Sequence, residues 1–237
     1  GVSLMLTPGP ILGMRAAGML SPDGTCRAFA EDANGTVAGE AVAALVLKRQ
    51  SRAEADGDPI HGLILGSALN YDGKTNGITA PSRIAQRDLI SGLYADCGID
   101  RREIGHIVTH GTGTRLGDPV EINALCDAFR DSGAAPGQCA LTSVKSNLGH
   151  SFAASGVVSL IALVQSLRHG TLPASLHCAR ESGYIRWQDS PFYVNRETRP
   201  WPLNHANRRV GAVSAFGMSG TNAHVVAASY EGPPAAS

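Results

Sequence analysis

Three separated segments carry the residues of this chain best suited to chemistry: His110-Gly-Thr-Gly-Thr114, Lys145-Ser-Asn-Leu-Gly-His150 and Phe216-Gly-Met-Ser-Gly-Thr-Asn-Ala-His224. Together they supply two imidazoles, a lysine and a glycine-rich turn. A neutral imidazole can aim an N–H at an oxygen on which negative charge develops, and glycines let the backbone come close to a reacting atom. A histidine without context is more often a hydrogen-bonded structural group. That reading holds for His61, His106, His169, His177 and His205, and also for His224, which falls on a strand-like stretch.

The elements that would position these motifs can be read from apolar runs and turn formers. Thr7 to Gly24 is rich in Pro and Gly and reads as an irregular opening; Ala41 to Leu47 and His61 to Leu69 are apolar runs of strand length, and Asn70 to Gly77 reads as a surface loop. Strand and helix then alternate: a helix from Ser82 to Cys97, a strand at Ile104 to Thr109, a helix from Pro119 to Phe129 with Asp118 as its N-cap, a strand at Ala140 to Val144, and a helix from about Ala153 to Arg168. Strands follow at Phe192 to Asn195, Arg209 to Ala215 and Ala223 to Ser229. Alternation with short loops predicts a mainly parallel sheet covered by helices. His110 and His150 then follow the carboxyl ends of strands, where ligand sites of α/β sheets lie.

Composition narrows the class. The chain has 237 residues, 43% of them hydrophobic, with 20 basic against 20 acidic residues. A net charge of zero gives no overall field for nucleic acid or an anionic membrane, so partners must be recognised locally. No apolar run approaches the roughly 20 residues of a membrane span, and no secretion signal is recognisable at Gly1 to Pro10, so a cytoplasmic location is expected. Cys26, Cys97, Cys126, Cys139 and Cys178 are odd in number and widely spaced, without a C-x-x-C pair. They support neither a disulfide framework nor a metal site. None sits in a small-residue turn opening a helix, the setting that stabilises a thiolate.

From Gly1 to about Tyr230 the order of segments resembles the C-terminal part of a β-ketoacyl synthase (ketosynthase) domain of a modular polyketide synthase, with Glu231 to Ser237 as a linker-like tail. Besides the three motifs, the resemblance rests on Ala17-Gly-Met-Leu-Ser-Pro-Asp-Gly24, Gly39-Glu40, Asn76-Gly77 with Ala80-Pro81, and Arg199-Pro-Trp-Pro202. Val108-Thr-His110 and Ser190-Pro-Phe-Tyr-Val194 look more like synthases whose acyltransferase acts in trans. The resemblance implies a thiolase-like fold and a decarboxylative Claisen condensation. It also implies residue roles. His110 and His150 would bind the malonyl thioester carbonyl, while Lys145 would pair with Glu121 to orient His110. The Phe216 amide would form half of an oxyanion hole and its ring would gate the malonyl pocket beside Gly217. Thr112 and Thr114 would bind the phosphopantetheine arm of an acyl carrier protein, the substrate carrier; no bound cofactor or metal is implied.

Departures qualify the resemblance. Ala41-Val42-Ala43 replaces the more usual Gly-Val-Gly, and no cysteine occurs in the family's nucleophile setting. The expected partner is therefore an N-terminal chain carrying that cysteine, in a complex expected to be a heterotetramer. A non-condensing acyl-transferring or chain-length-setting subunit is the alternative. A coenzyme-A thiolase would need a further cysteine near the C-terminus, and none follows Cys178.

Overall fold

The fold is that of a computed structural model, which describes residues 1–75, 77 and 80–232. Asn76, and the tail at 233–237, lie outside the described residues.

The central element is a six-stranded mixed sheet. In chain order its strands are β3 (Leu63–Tyr71), β4 (Ile104–Val108), β5 (Cys139–Thr142), β7 (Phe192–Val194), β9 (Val210–Phe216) and β10 (Thr221–Ala228), and their spatial order is β3-β10-β9-β4-β5-β7. The four neighbours β9, β4, β5 and β7 pair in parallel, whereas β10 runs antiparallel to both β3 and β9. Two short antiparallel ribbons lie outside this sheet: β1 (Val2–Ser3) with β2 (Ala41–Val42), and β6 (Thr171–Leu172) with β8 (Arg199–Pro200).

Parallel strands need crossover connections, and here helices supply them: α3 (Arg83–Asp96) leads into β4, α4 (Gly117–Ala128) joins β4 to β5, and α5 (Lys145–Leu148) and α6 (Ser155–His169) follow β5. Strand alternation divides the core between the two faces. Ile107, Leu141, Ala212 and Val226 pack with Ile90 and Leu93 of α3 and Ile122 and Leu125 of α4. Their strand neighbours Val108, Ala140, Val213 and Ala227 pack with Leu163 and Leu167 of α6. The 18 residues Phe152–His169 have a mean hydropathy of 1.3, so this stretch comes closer to the length of a membrane span than the sequence alone suggests. Leu163 and Leu167 nevertheless lie buried against the sheet.

Four local readings are corrected. Thr7 to Gly24 contains α1 (Gly9–Ala16), because Pro8 and Pro10 fall at the N-cap and first turn, where a missing N–H leaves no helical bond unmade. The surface loop expected from Asn70 begins later, since Asn70 and Tyr71 still pair with β10. Asp118 does not cap α4. That helix starts one residue earlier, at Gly117, and the buried Asp118 carboxylate accepts from the amides of Phe29 (2.8 Å) and Gly113 (3.2 Å) instead. Of Ala41 to Leu47 only Ala41–Val42 is strand; Ala43 still exchanges hydrogen bonds with Gly1, but 44–47 find no strand to pair with among the described residues, and Val46 and Leu47 stand 97% and 70% exposed just ahead of α2 (Gln50–Asp56).

Candidate active site

The three motifs come from three adjacent strands. His110 lies two residues beyond β4, His150 follows β5 through α5, and Phe216 ends β9; the sheet order places β4 between the other two. At their shared carboxyl end the rings meet. His110 and His150 have centroids 5.4 Å apart, nearly perpendicular at 83°, and Phe216 lies 5.8 Å from His110. Phe152 stacks on His150 at 4.5 Å.

Each ring is held through main-chain contacts. His150 donates its amide to Val37 O (2.7 Å) and accepts the Gly39 amide at its carbonyl (2.9 Å), as in a parallel bridge. This close approach accounts for Gly39: a Cβ there would lie 2.4 Å from Leu148 O. The His150 Nδ1 accepts from the Phe152 amide at 3.1 Å, so the proton of the neutral ring sits on Nε2. For His110 the main chain is gripped by two buried charges. Glu121 accepts the His110 amide at Oε1 (2.7 Å) and the Gly111 amide at Oε2 (2.8 Å), and the Lys145 ammonium donates to the His110 carbonyl. Gly111 (φ 41°) leaves no room for a side chain, since a Cβ would meet Ser143 Cβ at 2.7 Å.

The direct Lys145–Glu121 pair implied by the resemblance is not formed: the two charges close no ion pair among the described residues. They are joined through the His110 peptide. Their electrostatics follow from burial. Burial raises the Glu121 carboxyl above the usual carboxylate range, against the pull of the two amides, and lowers the Lys145 ammonium, against the attraction of Glu121. Burial, then Lys145 and His150, holds His110 well below the ordinary histidine value, and burial with Lys145 pushes His150 down to about 3. Both imidazoles are therefore neutral N–H donors at neutral pH. The Nδ1 of His110 is buried without a partner among the described residues.

Other predicted positions are occupied by the fold itself. The Thr112 and Thr114 hydroxyls lie 3.1 Å apart; Thr114 accepts the Gly117 amide (3.1 Å) and Thr112 donates weakly to Asp118 (3.4 Å). The Gly217 amide donates to Thr221 O at 2.7 Å, closing the turn after Phe216. His224, wholly buried on β10, bridges Tyr94 Oη and Ser214 Oγ, both at 3.0 Å. His106 contacts Thr142 Oγ1 at 2.8 Å beside Trp201.

Sequence reasoning missed two contributors. Asp118, read as a cap, ties the Thr112 loop to Phe29, and burial raises its carboxyl to about 6. Asp72 accepts from Asn222 Nδ2 (2.8 Å) and the Ser82 amide (3.2 Å), while its own amide donates to Gly220 O (2.8 Å), anchoring the Phe216 turn. The Asp-Gly pair at 72–73 signalled only a turn.

The mainly parallel mixed sheet, with two imidazoles and an aromatic ring at the carboxyl ends of neighbouring strands, is a thiolase-like fold. Residues 61–179 match the model of the β-ketoacyl synthase C-terminal domain and residues 1–53 that of its N-terminal domain. The chain belongs to the β-ketoacyl synthase family, within the ketosynthase domains of modular polyketide synthases. It is 52% identical to polyketide synthase ThaG of Burkholderia thailandensis and 48% to PksL of Bacillus subtilis, each over 98% of this chain but only 4% and 5% of those proteins. Among solved structures, the ketosynthase from module 6 of the Bacillus subtilis bacillaene synthase is 48% identical, with a TM-score of 0.95 over 98% of this chain and 42% of that one. The oxazolomycin ketosynthase domain OzmH KS7 of Streptomyces albus is 36% identical, with a TM-score of 0.93 over 98% and 41%. The chain thus spans under half of the ketosynthase chains it matches.

Proposed function

We propose that these residues form the part of a polyketide ketosynthase that drives decarboxylative condensation, acting on an acyl chain held by a cysteine from the remainder of the domain. The observation that carries this reading is the meeting of His110, His150 and Phe216 at the ends of three adjacent strands.

The chemistry is as follows. The malonyl group, brought by an acyl carrier protein on its phosphopantetheine arm, places its thioester carbonyl against the two imidazoles. As the bond to the carboxylate breaks, carbon dioxide leaves and the electron pair passes into an enolate whose oxygen is held by the His110 and His150 N–H groups. The enolate carbon attacks the acyl thioester, with the oxyanion received by the Phe216 amide, and the cysteine leaves as a thiolate. Neutral imidazoles suit this step because a donor is needed and no proton must first be lost. Lys145 and Glu121 act on it by fixing the His110 peptide. Thr112 and Thr114 would meet the phosphopantetheine arm by changing the internal bonds they make here. Val108-Thr-His110 supports placement among synthases with an acyltransferase acting in trans.

The test uses the complete ketosynthase domain, with this chain joined to or mixed with its cysteine-bearing part. Intact-mass measurement with acyl and malonyl carrier substrates should show an acyl adduct on that part, then malonyl-dependent extension. Acylation without extension would instead mark a non-condensing subunit, and an adduct on one of this chain's own cysteines would overturn the shared site. Native mass measurement checks the expected heterotetramer.

A further inference from the structure

A second concave site lies away from the chemistry. A pocket of about 420 Å³ opens beside α3 and α4, where Arg83, Arg87, Arg101 and Arg130, with Arg186 beside them, face Asp127, Asp131 and Asp88, the last paired with Arg87 at 2.6 Å. That leaves two positive charges in excess in a chain whose total is zero. Asp127 shows how the pocket handles a carboxylate. Its Oδ2 meets Arg83 at 2.6 Å, and its Oδ1 meets Arg130 at 2.8 Å and Arg186 at 2.7 Å. Burial raises its carboxyl, but Arg186 and Arg83 more than reverse this and hold it below the usual range. One carboxylate is thus shared by three guanidiniums. Arg101, in contrast, has no acidic partner among the described residues. It stacks 5.7 Å over the Tyr94 ring with its Nε buried and unpartnered.

We propose that this pocket docks an acidic surface belonging to another part of the same synthase polypeptide. Three observations select that occupant. Arg83, Arg87 and Arg130 are 42%, 41% and 63% exposed, so a single small anion would be hydrated and screened there, whereas several carboxylates on one surface can engage several guanidinium forks together. The pocket is also placed wrongly for substrate delivery: Arg101 precedes β4 whereas His110 follows it, and five strand residues separate the two ends by about 16 Å. Finally, this chain matches only 4% and 5% of the length of two related synthases, so other regions of such a polypeptide are held nearby at high effective concentration, where a weak electrostatic contact suffices. The proposal rests on membership of a modular synthase, independently of the condensation chemistry.

The test places a benzophenone amino acid at Arg87 in the purified complete synthase. Photo-crosslinks should map to an Asp/Glu-rich segment outside the ketosynthase domain. Their yield should fall several-fold between about 0.1 M and about 1 M salt, as the screening length shrinks from about 10 Å to about 3 Å. The same loss is expected for Arg83→Glu and Arg130→Glu, with circular dichroism checking that each variant folds. Crosslinks confined to the ketosynthase domain or to a second copy, or a yield indifferent to salt and to both variants, would overturn the proposal. Condensation of a small-molecule thioester, measured in parallel, should be unchanged by either variant. Its absence in the parent enzyme would count against the ketosynthase chemistry and leave the crosslinking result to decide docking by itself.

Discussion

Lys145 and Glu121 meet at one residue: the ammonium donates to the carbonyl of His110, and the carboxylate accepts the amides of His110 and Gly111. Two buried opposite charges thereby clamp a single peptide from its donor and acceptor sides without closing on each other.

This clamp makes Glu121→Gln informative. Gln keeps the shape but offers one carbonyl oxygen to two amides and turns an NH₂ toward the second. Loss of a buried charge-assisted bond costs about 1.5–3 kcal/mol, so condensation should fall by about tenfold to a hundredfold. Acylation of the partner cysteine should hold near the parent rate, which separates a positioning role from general unfolding. Lys145→Ala should be harsher, because it removes the donor to the His110 carbonyl and leaves the buried Glu121 charge without a nearby ammonium; circular dichroism would show whether the region still folds.

His110→Ala and His150→Ala should divide the two half-reactions. Removing one donor to a developing oxyanion typically costs about 10²–10³ in rate, so extension should drop by that factor in either variant. Thioester formation on the cysteine should persist, since it does not pass through the enolate. Single-turnover mass measurements read both steps, and a variant that extends at the parent rate would remove its histidine from the mechanism.

Stability should fall in mild acid. Burial pushes His106 and His224 down to about 3, and burial with Lys145 does the same to His150. Folded, these rings stay neutral; unfolded, they protonate near their ordinary value of 6.5. The unfolded state therefore binds more protons between about 3 and 6.5, and the stability these rings contribute is complete above pH 6.5 and lost as pH falls. At pH 5 the loss is about 2 kcal/mol per ring. Asp118 and Glu121, raised by burial, work in the opposite direction, but three histidines outweigh two carboxyls. Melting of the complete domain should shift down between pH 6.5 and pH 5, less steeply in His224→Gln. A flat profile in the parent protein would contradict this account.

None of the five cysteines should form an acyl adduct. Burial raises the thiols of Cys26, Cys126, Cys139 and Cys178, Cys26 to about 11, which disfavours the thiolate. Cys97 is exposed and should be the first to react with iodoacetamide, yet it sits at the end of α3, away from the imidazoles. Peptide mapping after each reagent distinguishes the two reactions.

Expressed alone, the chain should aggregate or bind a hydrophobic dye. Leu6, Val42, Val46 and Leu47 are 86%, 69%, 97% and 70% exposed, an apolar surface that the remainder of the domain is expected to cover. Light scattering should fall when that part is supplied; a sharp, cooperatively melting monomer of this chain alone would argue otherwise.

The sequence by itself determined the alternation of elements and the places of the motifs, because apolar period and turn formers are local signals. Strand β4, helix α3, and His110 and His150 at strand ends all follow from such signals. It also marked His224 as structural, a role its bonds to Tyr94 and Ser214 fulfil. Only tertiary structure decided what depends on residues distant along the chain. Ala44 to Leu47 has the composition of a strand but no neighbouring strand among the described residues, and strand formation is a property of the pair. Asp118 had the right position for a cap, yet Phe29, 89 residues away, offered its amide. The resemblance placed Lys145 against Glu121, while the fold interposed the His110 peptide between them. Spacing in sequence fixes which strand end a side chain follows; which polar group it meets there depends on how the strands are ordered in the sheet.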